Sequence, residues 1–154
     1  MRLFSKSLCL IVVGVIASSA ALAQRPSPEQ QAINARQAVF TLISSNQGPL
    51  GAMIRGRAPF DAEVATKNLT RISQLSLMIT DTFALDTRSS EIETDALDSI
   101  WDNMDDFASK AEALTNLADS TLAALAAGDE DEAKKILSGL GRTCGGCHDD
   151  YRAE

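Results

Sequence analysis

Histidine occurs once in this 154-residue chain, at His148, and cysteine three times, at Cys9, Cys144 and Cys147. A structural zinc site needs four Cys or His ligands. Cys9 lies in an apolar leader, so one His and two Cys remain and zinc is excluded as the organising metal. Basic residues are also in short supply, 14 against 21 acidic ones, for a net charge of −7. An acidic surface gives no electrostatic case for binding nucleic acid or an anionic membrane. No stretch alternates apolar and polar residues in the manner of a strand. A thioredoxin-like redox pair, which needs its C-x-x-C beside a βαβ unit, therefore has no scaffold here. Long apolar runs are missing as well. The one candidate, Leu8 to Ile16, is too short to span a bilayer comfortably.

That run belongs to a targeting segment. Arg2 and Lys6 precede it, and Ala21-Leu22-Ala23 is a small-residue cleavage signal. The expectation is a signal peptide over 1–23 and a mature domain over 24–154. Loss of Arg2 and Lys6 with the leader takes the net charge from −7 to −9. The 131 remaining residues suffice for one domain with a sizeable core. Export carries Cys144 and Cys147 into an oxidising compartment, where a disulfide, a metal site or a covalent cofactor are the choices.

The residues present decide among these. Cys144-Gly145-Gly146-Cys147-His148 is a C-x-x-C-H pattern, the attachment site of a c-type haem. The spacing has a physical reason. Residues three apart on a helix share a face, so both sulfurs reach one edge of a flat macrocycle. The histidine that follows is the only one in the chain, and it falls on the position of the iron ligand.

The remainder reads as helices. Helix A opens on Ser27-Pro28-Glu29-Gln30, a capping box with Pro at the first helical position, and its stripe is Ile33, Phe40 and Ile43, broadened by Val39 and Leu42. Gly48-Pro49 should kink or interrupt it. Asp61 caps helix B, whose core face is Ala65, Leu69, Ile72, Ile79 and Phe83. Residues 86–99 carry no steady apolar period and form the longest loop. Helix C runs from near Asn103 to Ala127 and stops at Gly128. Helix D starts in the acidic run 129–132, and its stripe passes through Ala133, Ile136, Leu137 and Leu140 into Cys144, Cys147 and Tyr151. The attachment cysteines thus continue a buried face. Short A–B and C–D links favour antiparallel neighbours, hence an all-α, up-down-up-down four-helix bundle.

Several elements together resemble one family, the cytochromes c′. They are Ala35-Arg36-Gln37, Gly51-Ala52-Met53 followed by Arg55-Gly56, Ala58-Pro59-Phe60-Asp61, Ile100-Trp101, Phe107-Ala108-Ser109-Lys110-Ala111, and the terminal Cys144 to Arg152. The resemblance covers nearly the whole mature chain. It implies one covalent haem c per chain, in a periplasmic four-helix bundle that is commonly a homodimer. The family is associated with single-electron transfer and with binding nitric oxide and carbon monoxide. Carried over residue by residue, Cys144 and Cys147 match the thioether anchors and His148 the axial ligand. Arg36 and Gln37 match residues near the haem propionates, Phe40 the cover of the distal face, Arg152 a basic residue on the proximal side, and Asp95 a loop contact.

Two of these assignments also follow from the residues. Arg36 and Phe40 are four apart on one helical face, and an Arg on an apolar stripe needs an anionic partner, which a propionate supplies. A low-spin relative of the same fold takes a sixth ligand from a Met of helix A. Here no Met, His or Lys lies between Ile33 and Asn46, so the expectation is a five-coordinate iron under an apolar Phe40. Three functions compete: an electron or gas carrier with an unidentified donor or acceptor, a haem enzyme acting on peroxide or nitric oxide, and a helical module whose two thiols form a disulfide. The first is preferred, because no distal acid or base is visible.

Overall fold

The computed structural model describes residues 25–153; the expected signal peptide and its cleavage site lie outside the described residues. The described residues form seven helices: α1 (Pro28–Ile54), α2 (Ala62–Ser76), α3 (Ile79–Thr82), α4 (Ser99–Asp102), α5 (Met104–Ala126), α6 (Glu130–Leu137) and α7 (Leu140–Tyr151). They make four arms. The first is α1, the second α2 with α3, the third α5, the fourth α6 with α7.

Three of the four arms start where a side chain satisfies a free backbone donor, and α5 starts at Asn103 without such a bond. The Ser27 hydroxyl accepts from Gln30 N, Asp61 from Val64 N and Asp129 from Glu132 N, at 2.9–3.1 Å. The capping box at Ser27 is only half closed, since the Gln30 amide donates onward to Asn34. Gly56 and Gly128 adopt φ of +65° and +76° just past the ends of α1 and α5, the left-handed conformation that terminates a helix at little cost.

The expected arms are right in place, but three differ in continuity. Helix A runs unbroken through Pro49. The proline withholds a donor from the Ser45 carbonyl, yet both residues are exposed, so water can serve that oxygen. Helix B is split at Leu77-Met78, where Met78 N turns to Leu75 O in a tighter i−3 bond. Ile79 and Phe83 still point inward. Helix D is split at Ser138-Gly139 by a similar bond from Gly139 N to Ile136 O.

The arms pack closely on three sides. α1 lies against α2, α2 against α5, and α5 against both α6 and α7. On the fourth side α1 meets α6 only briefly and stands off from α7. The loop between α3 and α4 closes one end of that gap. It is tied to the C-terminus by Leu97 N to Tyr151 O (3.1 Å) and Ala153 N to Asp95 O (2.8 Å), and to α4 by the ion pair of Arg88 with Asp102 (2.7 Å).

The core is apolar, with Leu50, Leu69, Ile72, Ile100 and Leu137 at most 1 % exposed. Phe107 is its hinge: its ring meets Phe83 at 4.8 Å and Tyr151 at 5.3 Å, both edge-on. It therefore joins α3, α5 and α7. Truncating Phe107→Ala should cost about 3–5 kcal/mol of stability, read as a lower midpoint in a denaturant melt followed by circular dichroism.

Candidate functional site

The stand-off between α1 and α7 encloses a cavity of about 1250 Å³. Sites for drug-sized ligands measure roughly 300–1,000 Å³, so this one suits a larger, flat group. Its apolar wall includes Ile43, Ile79, Phe83, Ile100 and Leu114. α7 presents Cys144, Cys147 and His148 to it, all half-buried, from adjacent positions on a single helical face. Gln47 of α1 reaches across, its Nε2 3.7 Å from the Cys144 sulfur. A Cβ added at Gly145 or Gly146 would touch no other part of the protein, so packing within the chain does not demand glycine there.

Arg36 is the unusual wall residue. It is only 3 % exposed, held between aromatic faces at 4.4 Å from the Phe83 centroid and 5.1 Å from that of Trp101. It donates to the carbonyls of Thr82 (2.9 Å) and Leu85 (2.7 Å) and to the Thr87 hydroxyl (2.8 Å). All three acceptors are neutral, and no carboxylate among the described residues lies within ion-pair distance. Burial pulls its pKa down, and the more distant Asp86 partly opposes this. A buried cation is costly without an anion. Three of its five N–H groups are engaged, which leaves two for an anionic group in the cavity.

The other residues singled out from the sequence line the same cavity. Phe40 is 37 % exposed on α1, its ring edge-on to Phe83 at 6.4 Å. Gln37 is exposed one turn earlier on the rim. Asp95 is exposed on the loop, where its backbone carbonyl makes the bond to Ala153. Arg152 is exposed at the end of α7. All eight positions are thus brought together.

The electrostatics argue against a thiolate-based redox pair. Burial raises the pKa of both Cys144 and Cys147, so neither is an activated nucleophile. Burial and then the Arg152 cation lower that of His148, against a smaller pull from Asp149. The imidazole is therefore neutral near pH 7, the form that binds a metal. Among the described residues no three His, Cys, Asp or Glu side chains cluster as metal ligands. A metal held here must bring most of its own ligands, which a macrocycle does.

Residues 31–152 match the family model described as Cytochrome C′. The chain belongs to the cytochrome c′ family. It is 38% identical over 120 residues to cytochrome c-556 of Agrobacterium tumefaciens, covering 77% of this chain and 92% of that protein. It is 35% identical over 121 residues to cytochrome c′ of Rubrivivax gelatinosus, covering 79% and 93%. Among solved structures, cytochrome c prime from Shewanella frigidimarina superposes with a TM-score of 0.74 at 34% identity, covering 84% of this chain and all of that one. A nitric oxide complex of a cytochrome c prime mutant from Alcaligenes xylosoxidans superposes with a TM-score of 0.70 at 28% identity, covering 84% and 99%. The fold is thus the four-helix bundle of the cytochromes c′, and the cofactor is haem c, whose attachment motif Cys144 and Cys147 fit.

Sequence reasoning missed the residues that support the site. Thr87, 4 % exposed, accepts from Arg36 across 51 positions through its hydroxyl. Trp101 Nε1 donates to Phe83 O at 3.1 Å, which sets the sandwich around Arg36. Tyr151 donates to Asp106 at 2.7 Å across 45 positions. Only Tyr151 carried a local signal, its place on the stripe of the last helix.

The Asp106 carboxylate stabilises the Tyr151 phenol, pushing its pKa up to about 12 from an ordinary 10.0. A raised folded-state pKa means that this contribution is whole below pH 10 and is lost as pH rises towards 12. Tyr151 is the only tyrosine in the chain, so its ionisation can be followed by tyrosinate absorbance. Asp106→Asn should bring the midpoint back towards 10 and flatten the fall in stability between pH 10 and 12.

Proposed function

We propose that this protein is a periplasmic c-type haem protein that binds small neutral ligands, nitric oxide above all, and passes single electrons. In this reading Cys144 and Cys147 hold the haem by thioethers, His148 binds the iron, and Arg36 with Gln37 meets the propionates. The haem supplies the redox change and the ligand-binding metal. The chain supplies a neutral imidazole, a cation for the propionates and a shielded cavity. Burial first and the Arg152 cation second favour the uncharged form of His148, and the loop that carries Asp95 lines the rim.

The observation that carries the reading is the composition of the α1 wall. Phe40 lines the cavity, and among the described residues no methionine does. The only lysine there, Lys110, is already engaged with Asp150 and the Gly146 carbonyl. Beside Phe40 on α1, Gln37, Thr41 and Ser44 carry no titratable group. The one cation on that face, Arg36, is engaged with Thr82, Leu85 and Thr87, so no general base stands next to Phe40 to drive peroxide chemistry. This favours a carrier over an enzyme. Exposed Leu42 on α1 and Leu77 and Met78 at the α2–α3 junction, at 50 %, 64 % and 49 %, favour a homodimer through that face.

The deciding experiment is an optical titration of the ferrous protein with nitric oxide. A broad, unsplit high-spin band is expected before addition, and saturation at one ligand per chain. A sharp, split low-spin α band before any ligand is added would sink the reading. Phe40→Met should produce that low-spin band and slow nitric oxide binding at least tenfold.

A further inference from the structure

We infer that Lys110 is a positioning residue for His148: from α5 it clamps both ends of the helical turn that carries the histidine. Its ammonium donates to the Gly146 carbonyl at 3.1 Å and pairs with the Asp150 carboxylate at 2.9 Å. Gly146 and Asp150 are four apart, so one cation bridges a full turn, and Cys147 and His148 lie between the two contacts. On its own helix Lys110 stands one position before Ala111 and three after Phe107, two core anchors of α5. The clamp is therefore anchored beside two core residues of α5. Asp106, 3.8 Å from the same ammonium and bonded to the Tyr151 hydroxyl, extends the grip to the next turn of α7.

The turn needs an outside brace. Gly145 and Gly146 lack side chains and are poor helix formers, and a Cβ at either would meet nothing in the protein. Packing thus does little to hold the backbone just before His148. An exposed ion pair would be worth little. Lys110 differs because its side chain is only 28% exposed, lines the cavity and also binds a main-chain carbonyl inside the motif.

The inference rests on His148 being the iron ligand, and its test keeps the two claims apart. The iron–histidine stretching band of the ferrous holoprotein is recorded by resonance Raman for the parent, Lys110→Met and Lys110→Arg. Met keeps the stem and loses the charge and the donors. The expected result is a shifted and broadened band in Lys110→Met, with the parent position and width restored in Lys110→Arg. A Lys110→Met band identical to the parent's overturns the clamp while leaving the ligand assignment intact. A parent protein with no such band defeats the ligand assignment and the clamp with it. If Lys110→Met yields no folded holoprotein, Asp150→Asn is measured instead. It removes one end of the clamp, so a shifted or broadened band supports the inference and an unchanged one overturns it.

Discussion

A guanidinium buried to 3 % exposure without a carboxylate partner is the constraint on which this structure turns. Arg36 could satisfy its charge by pairing with an acid of the chain, and the chain has many acids. Instead the fold gives it three neutral acceptors and two aromatic faces. Those contacts organise the end of α3 and the start of the long loop, since Thr82, Leu85 and Thr87 converge on one cation. They leave its positive charge without a directly paired carboxylate beside the cavity. The same residue therefore closes the loop and reserves a place for an anion. In a cavity of this family that anion is a haem propionate under the proposed reading.

The sequence made the main arms legible because their stripes obey a helical period and their ends carry explicit caps. Ser27 and Asp61 cap as expected, Asp129 caps a helix that starts in the expected acidic run, and Gly56 and Gly128 both stop a helix. The breaks were hidden for the same reason. Ala65, Leu69, Ile72, Ile79 and Phe83 keep their spacing across the tightened turn at Leu77-Met78, so the pattern carries no mark of it. At Pro49 the local rule pointed to a kink or an interruption, but an exposed carbonyl one turn back can be served by water. The loop over 86–98 was the least legible part. Its fixed points are Arg88 with Asp102, Leu97 with Tyr151 and Asp95 with Ala153, and none of these pairings has a local sequence signature.

The site divides along the same line. The motif from Cys144 to His148 is local, and it announced itself. Arg36 and Phe40 were readable from their spacing on one helix. What Arg36 touches was not, because its partners are 46 to 51 positions away. Lys110 shows the limit most clearly. It sits in a segment that carried the family resemblance, yet its partners Gly146 and Asp150 are 36 and 40 positions further along the chain.

Aromatic residues make up 5% of the chain, and most of those in the described part are gathered on one wall. From α1 to α7 the rings run Phe40, Phe83, Phe107, Tyr151, at centroid distances of 6.4, 4.8 and 5.3 Å, with Trp101 beside Phe83 at 6.0 Å. Edge-to-face pairs of this kind hold geometry beyond what area burial gives. The wall spans the gap that α1 and α7 leave open, where helix-on-helix packing is absent. It replaces that packing with a stiff apolar surface that begins at the residue facing the proposed ligand site and ends three positions after His148. At its far end the Tyr151 hydroxyl passes into Asp106 and Lys110, so the apolar wall and the polar clamp meet on one residue. The bundle can afford an open side because these rings and that clamp fix both helices across it.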